Sequence, residues 1–245
     1  SACLVGSEMC IRDSDETIKG WILTSGANVF FGYDYQHRKF TDLSAWESQN
    51  WFMAHATRPV GGGQLQLAGM ASLEALTLEG AGSPQVFQTG ESYQGGPLID
   101  RQHPHDLFSE LAVGYTQKVS KDLDVSLYFA YPGEPALGPT AFMHRISTMN
   151  NPDAPLGHHW QDATHITFGV ATLGVRYKQL KLEGSSFTGR EPDEHRYNFD
   201  KPRFDSYSYR LSYAPSDNFV LQASRAFLKS PETLHDDDVN RTTFS

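Results

Sequence analysis

The stretch LAVGYTQKV (residues 111–119), followed by SKD (120–122) and LDVSLYFAY (123–131), decides the fold class. In its first half Leu111, Val113, Tyr115, Gln117 and Val119 alternate with Ala112, Gly114, Thr116 and Lys118. After three polar residues the apolar series resumes at Leu123, Val125, Leu127, Phe129 and Tyr131. A period of two sends successive side chains to opposite faces of a strand. Two such runs joined by a short polar link read as a hairpin. Similar alternation covers 21–35, 65–75 and 207–213. The stretches 166–177 and 219–228 have strand composition but alternate poorly, as a bulge or burial on both faces would produce.

Working outward, strands are expected at 21–35, 50–58, 64–78, 108–119, 123–131, 165–177, 180–188, 206–214 and 218–228, with a tenth starting near Arg241. The links between them alternate. Those at 36–49, 79–107, 132–164, 189–205 and 229–240 are long, and those at 59–63, 120–122, 178–179 and 215–217 are short. An up-and-down meander with every long loop at one end is the pattern of an outer-membrane barrel, whereas Greek-key sandwiches break it. Aromatics gather near strand ends (Trp21, Tyr35, Trp51, Tyr131, Tyr207, Tyr213), as interfacial girdles require. The opposite faces carry Gln64, Gln66, Glu74, Lys118, Asp124 and Arg210, which suits a polar interior. The expected fold is therefore all-β, an antiparallel up-and-down transmembrane β-barrel. About ten strands are present, and the domain of 15–245 is truncated at both ends. A soluble barrel would turn its apolar face inward instead.

Composition narrows the function. The formal charge of −9 argues against a nucleic-acid partner, which needs a Lys/Arg surplus. Hydrophobic residues at 39% are too many for a disordered chain. No apolar run reaches the ~18 residues of a transmembrane helix, a test that barrel strands escape. Residues 1–14, SACLVGSEMCIRDS, resemble a translated sequencing adaptor. Native sequence is then expected to begin near Asp15, without its signal peptide. Both cysteines, Cys3 and Cys10, fall in that segment, so no thiol chemistry is expected.

Chemistry concentrates in the long links. His37, His103, His105, His144, His158, His159, His195 and His235 all fall there, with His165 at a loop's re-entry and only His55 inside a strand. Imidazole and carboxylate bind Zn²⁺ or Cu²⁺ at neutral pH. His103 and His105, as His-x-His, share a face of an extended segment, with Asp106 beside them. His158, His159, Asp162 and His165 form a second local set, and Met143 next to His144 offers a soft ligand. These are the candidate metal ligands, with copper or zinc as the ion. The competing role is a charge network folding the loops into a plug: Asp100, Arg101, Arg145, Arg190, Glu191, Asp193, Glu194, His195 and Arg196. No Gly-x-Ser-x-Gly elbow or other catalytic motif is present. Gly61-Gly62-Gly63 reads as turn chemistry, and Asp236-Asp237-Asp238 as a solvated loop tip.

The strings DRQHPHDLF (100–108), FMHR (142–145), NPDAPLGHHWQDATH (151–165) and GREPDEHR (189–196) carry a resemblance. The chain from about Trp21 onward resembles a family of uncharacterised bacterial outer-membrane barrel proteins from Gram-negative lineages. The resemblance implies the barrel and the outer-membrane location, and no particular activity. The expectation is a non-enzymatic, porin-like barrel that captures or passes small solutes or metal ions, with outer-membrane lipid as its surroundings. The alternatives are a barrel-borne surface hydrolase and a soluble ligand-binding β-barrel.

Overall fold

Tight two-residue turns set the topology. Lys19-Gly20 and Gly61-Gly62 all adopt positive φ, from 49° to 84°, the backbone of a type I′ hairpin that glycine takes without strain. The first joins β1 (Ser14–Ile18) to β2 (Trp21–Val29), and the second joins β3 (Asn50–Val60) to β4 (Gly63–Ala71). Further short links pair β5 (Phe108–Lys118) with β6 (Leu123–Ala130), and β7 (Val170–Tyr177) with β8 (Leu180–Phe187). The last joins β9 (Ser206–Ser216) to β10 (Phe219–Leu228), and β11 (Val239–Phe244) closes the series. The computed structural model describes residues 14–89, 91–145, 147–161 and 163–245 of the chain. Most of the adaptor-like segment, with both cysteines, lies outside them.

The eleven strands form one antiparallel sheet in strict sequential order. A meander of this kind puts every long connection (30–49, 72–107, 131–169, 188–205 and 229–238) at one end. Among the described residues β1 and β11 do not pair, so the sheet is open between them.

The sheet is nonetheless strongly curved. In the 131–169 loop, Gly138 donates its N–H to Ser224 Oγ of β10 (2.9 Å), while Met149 O accepts Asn28 Nδ2 of β2 (3.0 Å). Eight strand positions separate β2 from β10, about 38 Å on a flat sheet. The segment between Gly138 and Met149 reaches about 38 Å only when fully extended, and it contains a 3₁₀ turn at Phe142–His144. Only a sheet wrapped around this loop lets both bonds form.

The strand register sorts the faces. One row across the sheet reads Val125, Val175, Leu182, Leu211, and the next reads Leu127, Leu173, Gly184, Tyr209. Leu173, Leu182, Leu211 and Tyr209 are 52%, 57%, 48% and 61% exposed. The intervening rows read Ser126, Gly174, Glu183, Arg210 and Thr172, Ser185, Ser208, and they are buried or half-buried. Their charges are paired. Glu183 Oε2 accepts Arg210 Nε at 3.0 Å, its other oxygen meets Lys181 Nζ at 2.8 Å, and Arg176 bonds Asp124. The sheet thus exposes its apolar face and buries its polar one. Arg225 is an exception on the outer face, where its guanidinium donates to Thr242 Oγ1.

Near the loop end the inner face turns apolar and the loops pack against it. Trp51, Met53 and Met70 enclose Ala141, Phe142 and Met143 of the 131–169 loop. Leu137 of the same loop packs with Ala130, Val170, Phe187, Ala226 and Leu228.

Several expected boundaries are corrected. The strand expected at 21–35 ends at Val29. Residues Gly32–Gln36 leave the sheet and form a separate hairpin with Leu43–Glu47. Phe30 marks the departure, its N–H bonded to Gln49 O and its ring 5.4 Å from that of Trp51. The strand expected at 64–78 stops at Ala71, where Asn50 Oδ1 accepts the Leu73 N–H and a helical turn runs over Glu74–Thr77. Glu74 is therefore a loop residue and not part of the wall. The strand expected from 165 begins at Val170, because Ile166 and Phe168 are buried in the loop layer, and this explains the poor alternation there. In β10 the alternation is weak because Ala226 and Leu228 are buried among apolar neighbours on the inner side. The strand Ser14–Ile18 was not expected, and the described sheet has eleven strands rather than about ten.

Candidate functional site: a histidine and carboxylate cluster in the loop layer

Two long loops supply the centre of the loop layer. In the 72–107 loop, Pro104 separates His103 from His105, and the two side chains go to different partners. His103 lies 3.6 Å from Glu91 Oε1, and its backbone N–H donates to Glu91 Oε2 (2.8 Å). His105 turns to Glu74, whose Oε2 accepts both its backbone N–H (3.0 Å) and its Nδ1 (2.7 Å). In the 131–169 loop, His158 and His159 begin a single helical turn. Neighbours on a helix point about 100° apart, so they too separate.

His158 joins His105 and His165, and one ligand nitrogen from each lies within 4.8 Å of the others. The ring centroids are 4.8 Å apart for His158 and His165, and 5.3 Å for His105 and His165. Phe142 stands edge-on to His158 at 5.2 Å and forms an apolar wall. His105 and Glu74 are almost fully buried. Burial pulls the His105 imidazole down, but the charge and hydrogen bond of Glu74 outweigh it and hold it above its usual value. With Nδ1 engaged, His105 Nε2 has no hydrogen-bond partner among the described residues. A cavity of about 20 Å³ adjoins these rings, room for about one water or ion.

His159 lies among carboxylates instead. Its Nε2 is 3.2 Å from Glu191 and 3.3 Å from Glu232, and its Nδ1 is 3.7 Å from Glu91. Burial opposes its charge, yet the hydrogen bonds to Glu232 and Glu91 push the imidazole up to about 10. Burial raises Glu191 to about 8, against the opposing charge of His159. Glu91, although buried, is held down at about 2 by His103 and His159. At neutral pH this is an imidazolium clamped by acids.

The remaining candidates fall elsewhere. Asp106 faces Arg196 Nη1 at 3.4 Å, and burial raises it to about 6 despite that cation. His144 is in neither cluster; burial, then the charge of His55, push it down to about 4. Asp162 lies outside the described residues. Residues of the expected charge network find the following partners among the described residues. Asp100 pairs with Arg38 (2.7 Å), Arg101 donates to Gly82 O, and Arg190 donates to Glu232 O and Asp236. Glu194 accepts the Gln94 N–H, while Asp193 accepts that of His195. The Arg145 N–H bonds Phe142 O at the end of the 3₁₀ turn. A third group joins Asp34, Glu47 and Asp153. Burial raises Glu47 to about 7 and Asp153 to about 6, and both accept hydrogen bonds from Gln49 Nε2.

Sequence reasoning missed Glu74, Glu91 and Glu232. Each is a single acid with no motif spacing, brought to a histidine by loop packing. No protein-family model, curated protein or solved structure matches this chain.

Proposed function

We propose that the chain forms the wall of an outer-membrane β-barrel whose long loops fold into one mouth as a plug and narrow passage to small cations. One observation carries this reading: the sheet buries Glu183, Ser185 and Ser208 and half-buries Arg210 while exposing rows of leucine, valine and tyrosine. In water an exposed apolar face spanning several strands would far exceed the few hundred Å² that soluble monomers tolerate. Facing hydrocarbon it is the stable arrangement. The eleven-residue strands Phe108–Lys118 and Ser206–Ser216, tilted at ~40°, rise about 26 Å, close to the ~25 Å apolar band of such barrels.

The loop layer supports the second half of the proposal. A surface cavity of about 200 Å³ is lined by the four acids Glu91, Glu191, Asp193 and Glu194, outnumbering its one arginine, Arg196, with His103 and His195 beside them. It shares Glu91, His103, Glu191 and Pro192 with the 20 Å³ cavity at the histidines. Carboxylates at an entrance concentrate cations, and the narrowing beneath them excludes bulky organic solutes.

The test is fractionation of a Gram-negative host exporting the full chain. Recovery in outer membranes that survive an alkaline carbonate wash is expected. Recovery in the soluble periplasmic extract, or release by carbonate, would overturn the proposal.

A further inference from the structure

We propose that His105, His158 and His165 form a binding site for one divalent late first-row transition ion, Cu²⁺ or Zn²⁺, bridging the 72–107 and 131–169 loops. The inference rests on the reading of the loops as a cation-narrowing plug and names the cation class that would be held there. Its test reads the ion alone, so it can fail while the barrel stands.

Three imidazoles are a ligand set for these ions, with a fourth position left for water or an exchanging ligand. Nitrogens bound at ~2.0–2.1 Å to a tetrahedral ion sit about 3.3 Å from one another. The ligand atoms here lie within 4.8 Å, a gap that modest side-chain torsion closes. Beyond the triad, Glu74 grips His105 Nδ1 at 2.7 Å and fixes the tautomer. Metal-binding histidines characteristically carry such a carboxylate, which orients the ring and raises its basicity. His105 Nε2, buried and without a hydrogen-bond partner among the described residues, is then the nitrogen left for an ion. A cavity of about 20 Å³ adjoins that nitrogen, room for about one ion.

The neighbouring cluster sharpens the assignment. His159 has three carboxylates within 3.7 Å, enough to hold its proton and balance its charge internally. In the His105 triad, Glu74 stands behind one ring and bonds its Nδ1, away from the gap between the three rings. An ion seated among its three nitrogens would have the Glu74 carboxylate behind His105 as counter-charge. By the general order of affinities, Cu²⁺ binds such a site more tightly than Zn²⁺.

The experiment uses the full chain, refolded in detergent and stripped with a chelator. It is titrated with Cu²⁺ and, separately, with Zn²⁺ against a chromophoric competitor. One ion per chain is expected, and electron paramagnetic resonance of the Cu²⁺ form should show coupling to imidazole nitrogens. The double variant His158→Gln/His165→Gln should lose the ion, whereas His37→Ala/His195→Ala, in exposed loop positions, should retain it. Glu74→Gln should keep the stoichiometry but weaken binding by about 10–100-fold. Should the buried variants fail to fold, the spectrum of the unmutated protein still decides. No stoichiometric uptake, oxygen-only coordination, or a folded His158/His165 variant that binds unchanged would each overturn the site. Uptake by a chain that never enters membranes would sink the barrel and leave the ion site standing.

Discussion

Across β7, β8 and β9 the outward residues are Leu173, Leu182 and Leu211, and their inward neighbours are Thr172, Glu183 and Arg210. In the loop layer at the strand ends the order reverses: Trp51, Phe142, Met143 and Phe187 are buried. Histidines and acids are buried there too, but only with partners such as Glu74, Glu91 and Arg196. The sheet exposes its apolar side chains, whereas the loop layer buries them as an ordinary protein interior does. On the reading proposed above, two solvents acting on one chain account for that inversion. A single aqueous solvent would leave the exposed leucine rows unexplained.

The largest effect should come from charging the wall. Leu173→Arg/Leu182→Arg places two guanidinium groups on the outer face, each costing ~2–4 kcal/mol at the midplane of a bilayer. Membrane recovery of this variant should collapse, whereas Thr172→Lys, facing inward, should still be recovered. Equal recovery of the two would erase the distinction between the faces. Next in size is a break within the loop layer. Arg196→Ala leaves Asp106 buried without its cation, and removing one member of a buried pair costs ~3–5 kcal/mol. The loops should become protease-sensitive while the barrel stays in the membrane. If the variant instead stops entering membranes, loops and wall do not fold as separable layers.

How much of this was readable in advance follows the same division. The period of two in 111–131 identified the hairpin and the faces, because each position there meets only one solvent and one neighbouring row. The same signal failed at Val29. Tyr33 and Tyr35 keep the alternation going in a hairpin that has already left the sheet, and periodicity carries no information about which strand is the partner. Glu74 was misplaced for a related reason: the turn after Ala71 is imposed by Asn50, far back in the sequence. In the loops, adjacency in sequence misled. His158 and His159 were grouped but point to different clusters, and His103 and His105 likewise separate. The acids that define each environment lie tens of residues away, where only tertiary packing can reveal them.

A smaller effect is expected with pH in the group formed by Asp34, Glu47 and Asp153. Glu47 moves from its ordinary 4.5 up to about 7, and Asp153 from 3.8 up to about 6, both chiefly through burial. A carboxyl raised in this way binds its proton more tightly folded than unfolded. Its contribution is therefore complete below the unfolded value and is lost as pH rises through the folded one. Tm of the loop layer should fall between pH 5 and 7.5, and Glu47→Gln should flatten that slope. An unchanged slope in the variant would remove Glu47 from the account. The smallest effect should follow Arg225→Leu, which restores an apolar residue on the outer face and should slightly raise resistance to extraction. A loss of insertion would show that Arg225 serves a contact beyond its bond to Thr242.

The most direct test of the central claim, that the outer face of the sheet meets hydrocarbon, is depth-dependent fluorescence quenching. Single tryptophans would be placed at Leu173 and at its inward neighbour Thr172, in a protein whose native tryptophans are replaced by phenylalanine and which is refolded into vesicles of brominated lipid. Strong quenching at position 173 and little at 172 is the predicted result. Equal, weak quenching at both positions in a folded protein would contradict it.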